Sequence, residues 1–165
     1  KLKEQLGIKE FTIIIAGRGE LEAFIRSSFL KQHLSPVILG EVPHDKVLQL
    51  LANVDIHVTS SLKETFGRTV QESLYVGTPV LAPDCDWTRN LIKPNFNGVL
   101  YQQENGEDFV EQLTKLINQP KLLTKLRRNI LLNNSQNTQK NDPTSKWIEY
   151  LCSIINISET SQSLK

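Results

Sequence analysis

Apolar residues along this chain follow two alternating patterns up to about residue 101. Short apolar runs bounded by Gly or Pro predict strands, and apolar residues repeated every three or four positions predict helices. The runs predict strands at residues 11–16, 37–39, 55–59, 79–82 and 98–101. The repeats between them predict helices at residues 20–33, 45–54, 66–76 and 87–92. Strands that alternate with helices are typical of βαβ units, so we predict an α/β fold with a doubly wound parallel sheet.

The first predicted strand, FTIIIA, carries three consecutive isoleucines before Gly17. A continuous apolar run of this kind is typical of a parallel strand that helices cover on both sides of the sheet. We therefore expect residues 11–16 to be buried on both faces.

After residue 101 the pattern predicts helices only. Helical spacing covers residues 107–118 and 121–132, and it returns at residues 147–155. The intervening stretch at residues 133–142 is rich in Asn and Gln, which predicts a loop or a mobile segment. We assign residues 1–157 to one domain and residues 158–165 to a polar tail.

Composition and charge exclude several classes of protein. The 165 residues carry a formal net charge of +1 and no nucleic-acid-binding motif, so we expect no nucleic-acid partner. No apolar run approaches the length of a membrane-spanning helix, and the first ten residues do not resemble a signal peptide. Cys85 and Cys152 lie outside any C-x-x-C pattern, which favours a reduced, cytoplasmic chain without a metal site. His44 and His57 are interpreted as a surface and a core residue, not as catalytic groups.

Candidate chemistry is concentrated in the stretch TSSLKETFGRTVQESLYVGTPVLAP at residues 59–83. Glu64 is expected in the loop at the carboxyl end of the third strand, and Glu72 is expected within the helix that follows. The N-terminus of that helix offers free N–H groups and the positive end of a dipole, both of which attract phosphate. Spacing alone is weak evidence, because about one pair of glutamates eight apart is expected by chance in this composition.

The flanking motifs give the pair its context. GTPV follows Glu72 at residues 77–80, and Gly67 lies between the two glutamates. The segments IIIAGRGEL at residues 13–21, LGEVP at 39–43 and NGVLY at 97–101 complete an ordered series. Together these landmarks resemble the C-terminal, nucleotide-sugar-binding domain of the family-four retaining glycosyltransferases of the GT-B fold, also called glycosyl transferases group 1. The resemblance spans about residues 11–101.

The resemblance implies a role for each matching residue. Glu64 would act in catalysis by accepting hydrogen bonds from hydroxyls of the donor sugar, and Glu72 would hold the ribose hydroxyls of the nucleotide. Backbone N–H groups at the start of the helix would contact the sugar and the diphosphate, with Arg68 adding charge, and the turn after the first strand would lie near the ligand. The implied donor-binding residues are Gly17, Arg18, Gly19, Thr65, Phe66, Gly67, Arg68, Thr69 and Glu72. No metal or other cofactor is expected.

The implied function is transfer of a hexosyl group, with retention, from a nucleotide diphosphate sugar to an acceptor hydroxyl in polysaccharide or glycolipid biosynthesis. The family's first strand in this domain, and the loop after it that supplies an Arg and a Lys to the diphosphate, have no counterpart here. The N-terminal acceptor domain is also outside the sequence, so we expect this chain alone to be weakly active or inactive. Association with the inner face of a membrane stays open.

Three alternatives belong to other classes of protein. The chain could be a non-catalytic donor-binding or interaction module that works only with a partner chain. Binding of a nicotinamide dinucleotide is disfavoured because Glu22 occupies the position of the third Gly in the dinucleotide fingerprint. A receiver-like domain is disfavoured because Gly17 and Arg18 follow the first strand where an acidic pair would be needed.

Overall fold

The computed structural model describes residues 11–137. The chain divides into two compact units, the first ending at Val47 and the second beginning at Leu48. All strands of the described residues pair in parallel.

The first unit contains a two-stranded parallel sheet. Its strands are β1 (Ile14–Ala16) and β2 (Val37–Gly40), with helix α1 (Glu22–Lys31) between them. The prediction that β1 is buried on both faces is wrong, because Ile14 is 37% exposed and burial alternates along the strand. The described residues cover only one face of this sheet, so its isoleucines do not occupy equivalent environments.

The second unit is built around a three-stranded parallel sheet in the order β3, β4, β5. Helix α2 (His44–Asn53) precedes it and buries Leu48 and Leu51. The strands are β3 (His57–Val58), β4 (Val80–Pro83) and β5 (Gly98–Tyr101). Helices α3 (Arg68–Tyr75) and α4 (Asp86–Leu91) connect them, and α5 (Gly106–Asn118) and α6 (Pro120–Asn137) follow.

Helices cover both faces of this second sheet. Leu81 of β4 packs in a cluster with Leu116 of α5 and Leu126 of α6. Its neighbours in sequence, Val80 and Ala82, point to the other face and pack in a cluster with Val70 and Ile92. Because successive residues of one strand are buried on opposite faces, the doubly wound arrangement predicted from the sequence is confirmed.

The GTPV motif at residues 77–80 joins α3 to β4 through buried hydrogen bonds. Gly77 has φ +90°, and Thr78 donates its hydroxyl proton to the carbonyl of Leu51 at 2.6 Å. Arg127 of α6 donates to the carbonyl of Val54 at 2.7 Å and to the hydroxyl oxygen of Thr78 at 3.3 Å. The motif therefore fixes where α3 ends relative to the sheet.

Helix α6 is longer than the sequence predicts. It continues to Asn137, so the expectation of a loop or mobile segment from residue 133 is wrong for residues 133–137. Asn134 donates its side-chain amide to the carbonyls of Leu74 and Tyr75 at 3.1 and 2.9 Å, a tertiary contact that the local composition does not reveal. The helix predicted at residues 147–155 and the polar tail lie outside the described residues.

Candidate active site

The loop at residues 59–67 leaves the carboxyl end of β3 and carries Glu64. Because β3, β4 and β5 are parallel neighbours, their carboxyl ends lie along one edge of the sheet, where ligands of open α/β folds bind. The five residues from Leu62 to Phe66 are all exposed, and Phe66 is 76% exposed. Glu64 is thus exposed to solvent at this edge, in the loop where the sequence predicts it.

Gly67 ends this loop and begins α3. It adopts a left-handed conformation at φ 56° and ψ 44°, and its carbonyl accepts the N–H bonds of Val70 and Gln71 at 3.0 Å each. The helix begins at Arg68, so Phe66 and Gly67 precede its first turn, in which the sequence had placed them. The N–H groups of Arg68 and Thr69 come before the first intrahelical bond and lie at the positive end of the helix dipole.

The first turn of α3 carries no acidic residue. Arg68 and Thr69 are both exposed, and Lys63 is exposed in the preceding loop. The positive charges of Lys63 and Arg68 and the helix dipole make this terminus suitable for an anionic group. Glu64 is the one carboxylate between Lys63 and Arg68 in sequence.

Glu72 occupies a different environment from Glu64. It lies on the second turn of α3 and is only 9% exposed, next to the buried Ser73. Ser73 donates its hydroxyl proton to the carbonyl of Thr78 at 3.1 Å, which holds this part of the helix against the GTPV motif. The two glutamates are therefore one exposed loop carboxylate and one buried helical carboxylate.

Gly17, Arg18 and Gly19 form the turn between β1 and α1 in the first unit, and all three are exposed. Gly17 has φ +134° and donates its N–H to the carbonyl of Gly40 at 2.7 Å. The carbonyl of Gly19 accepts the N–H of Glu22 at 3.2 Å as α1 begins. The sharp strand-to-helix turn expected from the sequence is present, and its role in donor binding stays a prediction.

Trp87 is a residue of this site that the sequence interpretation did not single out. It lies in the first turn of α4, after β4, and its indole Nε1–H donates to the carbonyl of Ser61 at 3.2 Å. Its ring also lies against Gly67, because a Cβ built on Gly67 would be 2.5 Å from Cζ3 of Trp87. The signal was its position, since the segments after adjacent parallel strands meet at one edge of the sheet.

His57 lies at the base of the loop, within β3. Burial lowers the pKa of this imidazole to about 4, and within residues 11–137 its Nδ1 is buried without a hydrogen-bond partner. A neutral imidazole at pH 7 fits the interpretation of His57 as a core residue.

Residues 11–137 contain neither a metal-binding cluster nor a membrane-spanning helix. No cluster of three or more His, Cys, Asp or Glu side chains in this range could hold a metal ion. The helices in the same range all fall short of the length and apolar character needed to cross a membrane.

Comparison with known proteins shows the family to which this chain belongs. The family model for glycosyl transferases group 1 matches residues 1–131. The lipopolysaccharide 1,6-galactosyltransferase of Salmonella typhimurium is 30% identical over 113 residues, which are 66% of this chain and 32% of that protein. An uncharacterized glycosyltransferase of Methanocaldococcus jannaschii is 27% identical over 121 residues, 73% of this chain and 34% of that protein. The chain thus spans about a third of the length of these relatives.

A solved structure supports the fold. The crystal structure of Anabaena HepE in complex with UDP matches with a TM-score of 0.68 and 20% identity, covering 99% of this chain and 44% of that one. The predicted resemblance is therefore confirmed. The chain belongs to the glycosyl transferases group 1 family and has the Rossmann-like α/β fold of the C-terminal-type domain of GT-B enzymes.

Proposed function

We propose that this chain is the donor-binding part of a retaining glycosyltransferase that moves a hexosyl group from a nucleotide diphosphate sugar to an acceptor hydroxyl. The observation that carries the proposal is the exposed Glu64 in the loop that leads into α3, four residues before the helix begins and at the carboxyl edge of a parallel sheet. A nucleotide diphosphate sugar has a sugar at one end and a diphosphate next to it. A carboxylate can accept hydrogen bonds from the sugar hydroxyls, and the adjacent helix N-terminus favours the diphosphate. The UDP in the HepE structure supports a uridine nucleotide as the first donor to test.

Glu64 is assigned to the sugar in this proposal. The bond between the anomeric carbon and the diphosphate breaks, and the electron pair leaves with the diphosphate. The acceptor oxygen forms the new bond to the anomeric carbon, and its proton passes to an oxygen of the departing diphosphate. An ionised Glu64 orients the sugar for this step through charge-assisted hydrogen bonds from its hydroxyls. The N–H groups of Arg68 and Thr69, with the Arg68 guanidinium, would stabilise the negative charge on the leaving group. Backbone N–H groups of Thr65, Phe66 and Gly67 would also contact the sugar and the diphosphate.

Glu72 is assigned to the ribose. A carboxylate that is only 9% exposed has lost most of its hydration, so added hydrogen-bond donors stabilise it more than they would stabilise an exposed one. The two hydroxyls of a ribose are such donors and match the two oxygens of a carboxylate. Burial within α3 also restricts the rotamers of Glu72, which reduces the entropy lost on binding.

The remaining parts of the proposal concern the whole protein. Its acceptor would be bound by an N-terminal domain of the same enzyme, and the product would belong to polysaccharide or glycolipid biosynthesis. The turn at Gly17, Arg18 and Gly19 would contribute to the donor site. A cytoplasmic location, with or without contact to the inner face of a membrane, fits donors of this class.

A titration that compares nucleotides with nucleotide sugars tests the two glutamates separately. The chain is titrated calorimetrically with uridine, guanosine and adenosine diphosphates and with the corresponding diphosphate sugars. Glu72→Ala is expected to weaken binding of the nucleotide and of its sugar conjugate about equally, by roughly 10-fold or more. Glu64→Gln is expected to weaken binding of the sugar conjugate only.

Glu111→Gln is the matched control, because Glu111 is exposed on α5 and is expected to leave both affinities unchanged. Wild-type affinity in Glu72→Ala would contradict the ribose assignment. Equal losses for the nucleotide and the sugar conjugate in Glu64→Gln would contradict the sugar assignment. Absence of binding to every donor would contradict donor binding by this chain.

A further inference from the structure

We infer that Trp87 is a positioning residue that holds the loop bearing Glu64 in the conformation needed for donor binding. The inference rests on the proposed function and adds to it a side chain from outside the loop and outside α3. The indole makes two contacts, one at each end of the segment from Ser61 to Gly67.

The two contacts differ in kind. At the start of the segment, the indole Nε1–H donates to the carbonyl of Ser61 at 3.2 Å. At its end, the six-membered part of the ring packs on Gly67, where an added Cβ would lie 2.5 Å from Cζ3 and 2.8 Å from Cε3. One rigid side chain therefore contacts both ends of the segment.

The segment itself has little other packing. All five residues between the two contacts, Leu62 to Phe66, are exposed. Three local hydrogen bonds add to the indole contacts. The Ser61 N–H donates to the hydroxyl oxygen of Thr59 at 3.3 Å, the Ser61 hydroxyl donates to the carbonyl of Lys63 at 3.1 Å, and the Gln71 side-chain amide donates to the carbonyl of Phe66. An exposed segment with few buried contacts opens locally at low free-energy cost, so the indole contacts have a large share in its order.

Trp87 is itself fixed by the core. It packs against the cluster that contains Val70 and Ile92. The next residue, Thr88, is fully buried. Its hydroxyl oxygen accepts a hydrogen bond from the N–H of Cys85 at 3.0 Å, and its O–H donates to the carbonyl of Pro83 at the end of β4. The position of the indole is thus set by β4, and the indole transmits that position to the loop after β3.

Loss of this contact should affect the sugar more than the nucleotide. If the loop is ordered for only part of the time, the apparent affinity for a ligand that needs the ordered loop falls by that fraction. Glu64 lies inside the segment that Trp87 contacts at both ends, whereas Glu72 lies on α3 beyond it. A general loss of stability would weaken both ligands alike.

The test compares Trp87→Phe with Phe109→Leu in the full 165-residue chain. Trp87→Phe keeps an aromatic ring beside Gly67 and removes the indole N–H. Phe109→Leu alters another partly buried aromatic, which packs on the other core cluster. Hydrogen–deuterium exchange is followed in peptides that cover residues 59–70, and the same variants are titrated with the diphosphates and diphosphate sugars used above.

Trp87→Phe is expected to raise exchange in residues 59–70 about 5- to 10-fold and to lower sugar-conjugate affinity by a similar factor, with a smaller loss for the nucleotide. Phe109→Leu is expected to change neither. Unchanged exchange in Trp87→Phe would overturn the inference, and so would equal losses for the two ligands. If the wild-type chain bound no donor, the proposed function would fail instead, and the exchange data would still decide whether Trp87 orders the loop.

Discussion

At the scale of single residues, Gly67 is the position where backbone conformation and packing constrain the site together. Its φ of 56° is unfavourable for any residue with a Cβ, and the space beside it is occupied by the ring of Trp87. Gly67→Ala is therefore expected to lower the free energy of unfolding by about 2 kcal/mol or more, from backbone strain and from displacement of the indole.

Urea denaturation followed by circular dichroism measures this loss. Gly106→Ala is the matched control, because a Cβ at Gly106 meets no atom within 4 Å and Gly106 lies at the start of α5. The control is expected to be neutral or slightly stabilising, since Ala has the higher helix propensity. Similar stabilities for the two variants would show that neither φ nor the Trp87 ring constrains Gly67.

The residues of the site differ in how far the sequence reveals them. Glu64 and Gly67 lie in a motif with recognisable flanks, so the sequence singles out both residues and predicts the loop position of Glu64, whereas it places Gly67 within the helix that in fact begins one residue later. Trp87 lies 26 residues after Ser61, its hydrogen-bond partner, and no local pattern links the two. The burial of Glu72 is also a tertiary property, because it depends on how α3 packs against the motif at residues 77–80.

At the scale of elements, the contact between α6 and the end of α3 is the clearest feature that the sequence did not predict. Periodic apolar residues locate the helices well, since burial of one face imposes that period. The Asn-rich end of α6 has no such period, and its helical state depends on a contact with Leu74 and Tyr75 some 60 residues earlier. Local composition therefore favoured a loop where tertiary contact stabilises a helix.

This contact can be tested by substitution of Asn134. Its amide donates to two carbonyls at the C-terminal end of α3, and the Leu74 carbonyl also accepts the backbone N–H of Gly77 at 3.3 Å. Asn134→Ala is expected to lower the free energy of unfolding by about 1 to 2 kcal/mol, as measured by urea denaturation. Asn133→Ala, at the exposed neighbouring position, is expected to change it by less than about 0.5 kcal/mol. Equal effects would argue that the contact contributes nothing.

At the scale of the whole molecule, the class of fold was predictable because the spacing of apolar residues along the chain shows where strands and helices alternate. The two-sided burial expected for residues 11–16 was not met, because a run of isoleucines shows only that a strand can be covered. Whether other elements pack on both faces of that strand depends on the tertiary structure. In the second unit the same logic succeeds, since β4 is apolar throughout and is fully buried.

Stability of the folded chain towards acid should report on one buried group of this sheet. Burial lowers the pKa of His57 from 6.5 to about 4, so the unfolded chain takes up a proton at a pH where the folded chain does not. The free energy of unfolding is therefore highest above pH 6.5 and declines as the pH falls towards 4, because in this range only the unfolded chain binds the proton. At 1.36 kcal/mol for each pKa unit, the loss amounts to about 3 kcal/mol.

The carboxyl group of Asp108 has its pKa lowered from 3.8 by hydrogen bonds from the Gln102 backbone and the Gln112 side chain. Its contribution therefore falls below this window, and a His57 variant is needed to separate the contribution of the imidazole from that of other groups. Urea denaturation at several pH values is expected to show this decline in the wild-type chain and in His33→Asn, where an exposed imidazole is removed. His57→Gln should be less stable at pH 7 but nearly independent of pH across the window. A decline that persists in His57→Gln would assign the acid sensitivity to another group.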